Sequence, residues 1–270
     1  MRSLVLAKEF GDEAVHFACQ ALEGSMNDRI PYPVHVVPSN EPEEIIKLIF
    51  SLHVKMLIID HYGIGYETEK YIKEKTGVKL FVLDDNYARH YCDILRNPNL
   101  YADASRYEGL VPNHCELQCG IPLIREEFHR EKKIKREKIS DIFLAMGGAD
   151  TANLNISILT ALPKTLHVSV LTTSANKNLA TLEAFVKNKS NVALHVNSEE
   201  VAKLLHQSRF AIISASTLAH EVLFMDAPFL AIKTADNQAD MCHYLTNMGY
   251  AALETWSKEA FIRCIKKLIS

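Results

Sequence analysis

The chain has 270 residues, 48 % of them hydrophobic, with 30 Lys and Arg against 33 Asp and Glu and a formal charge of −3. This balance leaves no overall basic field to hold nucleic acid or an anionic membrane surface, while a local turn can still bind a small anion. The length suits one large or two medium domains, and two are expected.

Six cysteines, at 19, 92, 115, 119, 242 and 264, are scattered without a secretory signal. Free thiols in a reducing compartment follow, so the expected location is the cytoplasm. No apolar run approaches the roughly 20 residues that span a bilayer, and a membrane-spanning chain is excluded. A monomer is expected.

In chain order, "MRSLVLAKEFGDE" reads as an amphipathic helix. An open α/β domain ordinarily starts with a strand and a glycine turn instead, and neither is found here. Short runs rich in Val, Ile and Phe follow, "VHFACQ", "VHVV", "MLIID" and "KLFVLDD", separated by the helical patterns "EPEEIIKLIFSLH" and "YETEKYIKEKTG". Such βα alternation implies a parallel sheet with helices on its faces. Strand "MLIID" ends in Asp60, His61 and Tyr62, where side chains at the carboxyl end of a buried strand reach a ligand crevice. A capping Asp and a surface His are the plain alternative. Asp84 and Asp85 close the next strand. Adjacent strand residues point to opposite faces, so at most one of them faces a ligand. "HCELQCG" brings His114, Cys115 and Cys119 together, but its spacing is too wide for a zinc knuckle and no second pair follows. No metal is expected.

"REEFHREKKIKREKIS", residues 125 to 140, is the densest charge run and reads as a solvated linker. It separates expected domains of residues 1–132 and 133–270. Beyond it the alternation restarts with "DIFLAMGG", "LHVSVLTT", "NVALHV", "FAIISAS" and "PFLAI". Two such domains would place a ligand crevice at the carboxyl ends of their strands.

Gly147 and Gly148 lie between a strand and a helix, where glycine lets backbone N–H groups approach a phosphate. By itself this turn is weak, being more often structural. "FAIISASTLAHE" repeats the arrangement with the hydroxyls of Ser214, Ser216 and Thr217 at a helix start, which suits either an anion or an ordinary cap. Glu221 stands one turn further in, where a carboxylate repels phosphate but can accept hydrogen bonds from a ribose diol. Asn237 and Gln238, in "DNQAD", open another helix and can bond sugar oxygens. Two phosphate turns and a diol acceptor in one domain point to a nucleoside diphosphate.

Taken together, "IIDHYG", "LDD", "YEGLVP", "PLIREEF", "MGGAD", "IISASTLAHE" and "KTADNQ" occur in an order and spacing that resemble the UDP-2,4-diacetamido-2,4,6-trideoxy-β-L-altropyranose hydrolases of pseudaminic acid synthesis. The resemblance covers nearly the whole chain. It implies two Rossmann-like domains of the GT-B type, similar to the peptidoglycan enzyme that adds N-acetylglucosamine to its lipid carrier, with UDP in the C-terminal one. It further implies that Gly147, Gly148, Ser216 and Thr217 face the diphosphate, Glu221 the ribose, Asn237 and Gln238 the sugar, and that Tyr62 contacts the sugar from the first domain. The implied reaction is attack of water at the anomeric carbon, with inversion and UDP as leaving group. No cofactor is implied, and the partner is a UDP-sugar.

The family's general-base His sits in a "GxGHxxR" turn. Arg2 matches the motif's Arg, which puts the expected His before Met1 and leaves the first domain without its first strand. On that basis the chain is expected to bind UDP and hydrolyse little, unless His61 substitutes. Arg96 and the short "CGIPLIREEF" depart from the family pattern. The alternatives are a GT-B glycosyltransferase that needs an acceptor and a UDP-sugar-binding remnant. The cellular role implied is flagellin glycosylation.

Overall fold

The computed structural model describes residues 2–11, 14–22, 25 and 27–268. The chain divides into two compact units, Met1–Leu123 and Ile124–Ser270.

The first unit contains helices α1 (Arg2–Ala7), α2 (Pro42–Leu52) and α3 (Tyr66–Thr76) and strands β1 (Phe17–Cys19), β2 (Val34–Val36), β3 (Met56–Ile59), β4 (Lys79–Leu83), β5 (Ile94–Asn97) and β6 (Glu116–Cys119). Helix α2 forms where the sequence supplies Pro42 at its first position and Glu43 and Glu44 in its first turn. A proline there loses no helical hydrogen bond, and the carboxylates complement the positive end of the helix dipole. Strands β3, β4, β5 and β6 form a parallel sheet in that order, while β1 and β2 pair with each other alone. Among the described residues no ladder joins β1 to β3.

Strand β4 is apolar on both faces. Leu80 and Val82 pack with Ile59, Ile72, Leu95 and Tyr107, while Phe81 and Leu83 pack with Ile94 and with Leu6 of α1. Burial on both sides is what a parallel sheet covered by helices requires, and the amphipathic opening of the chain supplies one of the covers.

The second unit runs α4 (Glu126–Glu131), β7 (Ser140–Ala145), α5 (Asn155–Ala161), β8 (Val168–Thr172), α6 (Leu179–Val186), β9 (Val192–Val196), α7 (Val201–His206), β10 (Ser208–Ser214), α8 (Leu218–Phe224), β11 (Phe229–Ile232), α9 (Ala239–Asn247), β12 (Ala251–Leu253) and α10 (Lys258–Leu268). Its six strands are parallel, in the order β9-β8-β7-β10-β11-β12. Counted from β7 this is 3-2-1-4-5-6, the doubly wound order, whose direction of winding reverses between β7 and β10. The core is continuous across this centre: Ile142, Leu144, Val170, Phe210, Ile212, Leu230 and Phe261 are all nearly or fully buried.

The stretch expected as a solvated linker is corrected by α4. Phe128 is fully buried, and α4 packs against α7 in the second unit. Glu131 is held by both Arg136 Nε, at 2.6 Å, and His206 Nδ1, at 3.2 Å. Lys132 donates to the Phe224 carbonyl and, at 2.8 Å, to Asp226. A six-residue helix with one aromatic anchor is too short to show a 3.6-residue apolar period, and its ion pairs make the run look solvated.

Candidate functional site

The centre of the second unit brings together most of the residues expected to hold a nucleotide. Gly147 and Gly148 follow β7, and Ser214, Ser216 and Thr217 follow β10; the two strands are adjacent, pairing Ile213 with Ala145. Both turns therefore leave the sheet side by side at its switch point, where open α/β sheets bind ligands. Gly147 has φ 82°, a left-handed backbone that strains a side chain. Gly148 is needed for space: a Cβ there would lie 2.9 Å from Thr173 Cγ2.

Three donors converge on the Gly148 carbonyl, from Thr172 Oγ1 at 3.1 Å, Thr173 Oγ1 at 2.9 Å and Thr173 N at 3.0 Å. They fix the turn from behind. The buried Asp150 carboxylate accepts from the Leu154 and Asn155 amides at 2.9 and 3.1 Å, so the opening of α5 is already capped. A phosphate would meet the amides of the turn itself. Burial raises the Asp150 carboxyl above its usual range, against the pull of those amide bonds.

On the neighbouring turn the Ser214 and Ser216 hydroxyls lie 2.9 Å apart. Ser214 is buried and Thr217 exposed. No side-chain cap bond forms at Thr217, so ordinary capping does not account for its hydroxyl. His220 is buried in α8, and burial pushes its pKa down to about 4.

Glu221, whose side chain is only 9 % exposed, is gripped in bidentate fashion by Arg125, with Nε to Oε1 at 2.7 Å and Nη2 to Oε2 at 2.8 Å. The sequence reading missed this arginine, having placed it in the linker. A buried carboxylate needs a cation, and Arg125 in "PLIREEF" was the signal available. Asn237 is exposed in the 3-10 turn Asp236–Gln238. The Gln238 amide oxygen is occupied by Thr234 N at 2.8 Å and Thr234 Oγ1 at 3.2 Å, which leaves its NH2 as the group it can offer.

In the first unit, a polar group gathers at the carboxyl ends of β3 and β4. Arg2 Nε donates to Asp60 at 2.8 Å and Arg2 Nη1 to Asp85 at 2.6 Å, while Ser3 Oγ donates to Asp60 at 2.5 Å. The Tyr62 hydroxyl donates to Asp85 at 2.9 Å from a ring that is 73 % exposed. Loss of hydration at the hydroxyl, and then Asp85, raise its pKa. His61 is exposed, and its Nδ1 accepts the Gly63 amide at 3.0 Å. A neutral His61 ring then carries its proton on Nε2, which can donate to a ligand but cannot accept a proton from one.

The paired aspartates divide as strand alternation requires. Asp85 joins Arg2 and Tyr62, whereas Asp84 turns inward, accepting from Tyr107 Oη at 2.6 Å and standing 3.5 Å from His90 Nε2. Burial would raise the Asp84 carboxyl, but His90 and Tyr107 hold it below its usual range. His114 and Cys115 go to different partners, His114 Nε2 lying 3.8 Å from Asp93 and Cys115 Sγ 3.6 Å from Cys92 Sγ; among the described residues no group of three His, Cys, Asp or Glu is placed to hold a metal. Nor, among them, is any helix long and apolar enough to cross a membrane.

No family model matches the chain. Solved structures of similar fold include the following two. One is MurG of Acinetobacter baumannii, with a TM-score of 0.65 at 13 % identity over 100 % of this chain and 87 % of that one. The other is the spinosyn rhamnosyltransferase SpnG complexed with spinosyn aglycone, with a TM-score of 0.67 at 11 % identity over 100 % and 87 %. They place the chain among two-domain Rossmann-like proteins of the GT-B type. In sequence, the chain is 49 % identical over 251 residues, 92 % of its own length and 91 % of the other's, to UDP-2,4-diacetamido-2,4,6-trideoxy-β-L-altropyranose hydrolase of Campylobacter jejuni. With that identity sustained across nearly all of both chains, this chain belongs to the UDP-2,4-diacetamido-2,4,6-trideoxy-β-L-altropyranose hydrolase family.

Proposed function

We propose that the protein hydrolyses a UDP-linked 2,4-diacetamido-2,4,6-trideoxy-hexose to the free sugar and UDP, with inversion. The observation that carries the reading is the emergence of two ligand-suited turns, Gly147–Gly148 and Ser214–Thr217, from adjacent central strands. In this reading the turn amides and the hydroxyls of Ser214, Ser216 and Thr217 hold the diphosphate, Glu221 accepts from the ribose, and Asn237 and the Gln238 NH2 meet the sugar. Tyr62 contacts the sugar, and His61 donates through Nε2.

Water attacks the anomeric carbon, the C1–O bond breaks, the departing diphosphate keeps the electron pair, and the attacking water gives up a proton to the solvent. Donors already fixed around the diphosphate stabilise its growing charge without reorganising. Of the residues grouped in the first unit, Asp60 and Asp85 share Arg2, which fixes both side chains and suits them to orient a polar ligand. The cytoplasm, a monomeric state and a role in pseudaminic acid synthesis for flagellin glycosylation belong to the same proposal. Six free cysteines support the reducing compartment.

The test is to incubate the purified chain with the UDP-sugar and follow UDP and free sugar by chromatography, with and without an added hydroxyl acceptor. Both products without an acceptor support hydrolysis. Release only with an acceptor would make it a glycosyltransferase, and tight UDP binding with neither product would make it a binding module.

A further inference from the structure

Glu221 is the odd member of the nucleotide group, because it is a carboxylate one helical turn from the hydroxyls that are to face a diphosphate. Arg125 resolves that conflict. All three of its nitrogens are engaged: Nε and Nη2 hold the two Glu221 oxygens at 2.7 and 2.8 Å, and Nη1 holds Glu127 Oε1 at 2.7 Å. Glu127 is itself anchored, since its other oxygen accepts the Ala202 amide in the first turn of α7 at 3.2 Å. The guanidinium also lies over the fully buried Phe128 ring, 4.9 Å from its centroid. A chain of contacts thus runs from α7 through α4 to one carboxylate on α8.

We propose that Arg125 is the positioning residue for ribose recognition, resting on the reading of this unit as the UDP site. A bidentate arginine uses one lone pair on each carboxylate oxygen and fixes the carboxylate plane. Each oxygen keeps an outward lone pair on its own side, so a ribose hydroxyl beside either one meets an acceptor of fixed direction. The positive charge of Arg125, which it shares with Glu127, partly offsets the negative charge of Glu221, so the carboxylate repels a neighbouring diphosphate less. Arg125 acts through Glu221 and touches no reacting atom.

The experiment measures the affinity of the whole chain for UDP, 2′-deoxy-UDP and 3′-deoxy-UDP by calorimetry, in the wild type, Arg125→Met and Arg125→Lys. Each hydroxyl bonded to an ionised partner makes the wild type prefer UDP over the deoxy form by about tenfold. In Arg125→Met the preference should shrink to less than about twofold while UDP itself weakens by about tenfold, because a freed carboxylate neither holds its orientation nor loses its repulsion. Arg125→Lys keeps the charge and loses the fork, so it should fold, bind UDP and lose most of the preference. Full preference retained in either variant overturns the positioning role. A wild type that binds UDP without preferring it also overturns that role and leaves the nucleotide site standing. A wild type that does not bind UDP sinks the nucleotide reading, and this proposal with it.

Discussion

Glu69, in the first turn of α3, bonds His90 Nδ1 at 2.6 Å, and both side chains are almost wholly buried. The other Glu69 oxygen takes the Tyr91 amide at 2.6 Å, and His90 lies 3.5 Å from Asp84 on its far side. Burial would lower the His90 pKa, but the bonds and charges of Asp84 and Glu69 outweigh it and raise the value from 6.5 to about 9. A group whose folded-state pKa is raised stabilises the fold in full below its unfolded value and loses that contribution as pH climbs through the folded one. On the order of 2–3 kcal/mol should therefore fade between about pH 6.5 and pH 9. Urea unfolding at a series of pH values checks this: the wild type should weaken across that window, and His90→Gln, already weaker at pH 6, should show a flatter slope. Equal slopes would exclude a charged His90.

Gly148→Ala puts a methyl against Thr173 Cγ2, which would lie 2.9 Å away. The turn must shift, with an expected loss of about 1–3 kcal/mol in stability and a fall in UDP affinity. Thr173→Ser deletes the methyl in conflict and keeps the hydroxyl that bonds the Gly148 carbonyl. The double variant should regain most of the stability lost by Gly148→Ala. No recovery would place the strain elsewhere.

Tyr62 is exposed, and its hydroxyl bonds Asp85. Tyr62→Phe should leave thermal unfolding within about 0.5 kcal/mol of wild type. If Tyr62 bonds the sugar in the transition state, kcat should fall about tenfold or more, with UDP affinity unchanged. An unchanged kcat would remove Tyr62 from the site.

Phe128 carries most of the apolar contact of α4. Phe128→Ala should cost about 3–5 kcal/mol, a typical loss for a buried aromatic ring. A fragment of residues 124–270 should be markedly more stable than one of residues 133–270, which lacks the helix. Equal denaturation midpoints would return the segment to linker status.

The regular parts of this fold were legible where strands such as β4 and β11 are short apolar runs and helices such as α2 and α3 carry a charged face. The two turns proposed to hold a nucleotide were legible as turns, since glycines and hydroxyls between an apolar strand and a helical pattern mark a change of backbone direction. What the sequence hid was pairing at a distance. Glu221 looked like a lone acceptor because Arg125 is 96 residues away, inside a run of charges that reads as solvent-exposed. His90 and Glu69 were passed over because each is ordinary in its own helix or loop. Their meaning comes from being buried together, and burial of one charged residue by another leaves no periodic trace in a single chain. Asp84 and Asp85 could be separated in principle by strand alternation, yet only their partners settle which one turns inward.

The strand order of the second unit also has a kinetic side. Strands β7 and β10 each have a neighbour on both edges, so their amides can meet solvent only when the whole sheet opens. The turns that grow from them are thus anchored to the part of the unit that should exchange amide hydrogens most slowly, near the limit set by global unfolding. The two-stranded piece β1–β2 has three residues in each strand and no third strand among the described residues. Its protection should be lost early, so deuterium would enter the start of the first unit long before it reaches the base of the two ligand turns.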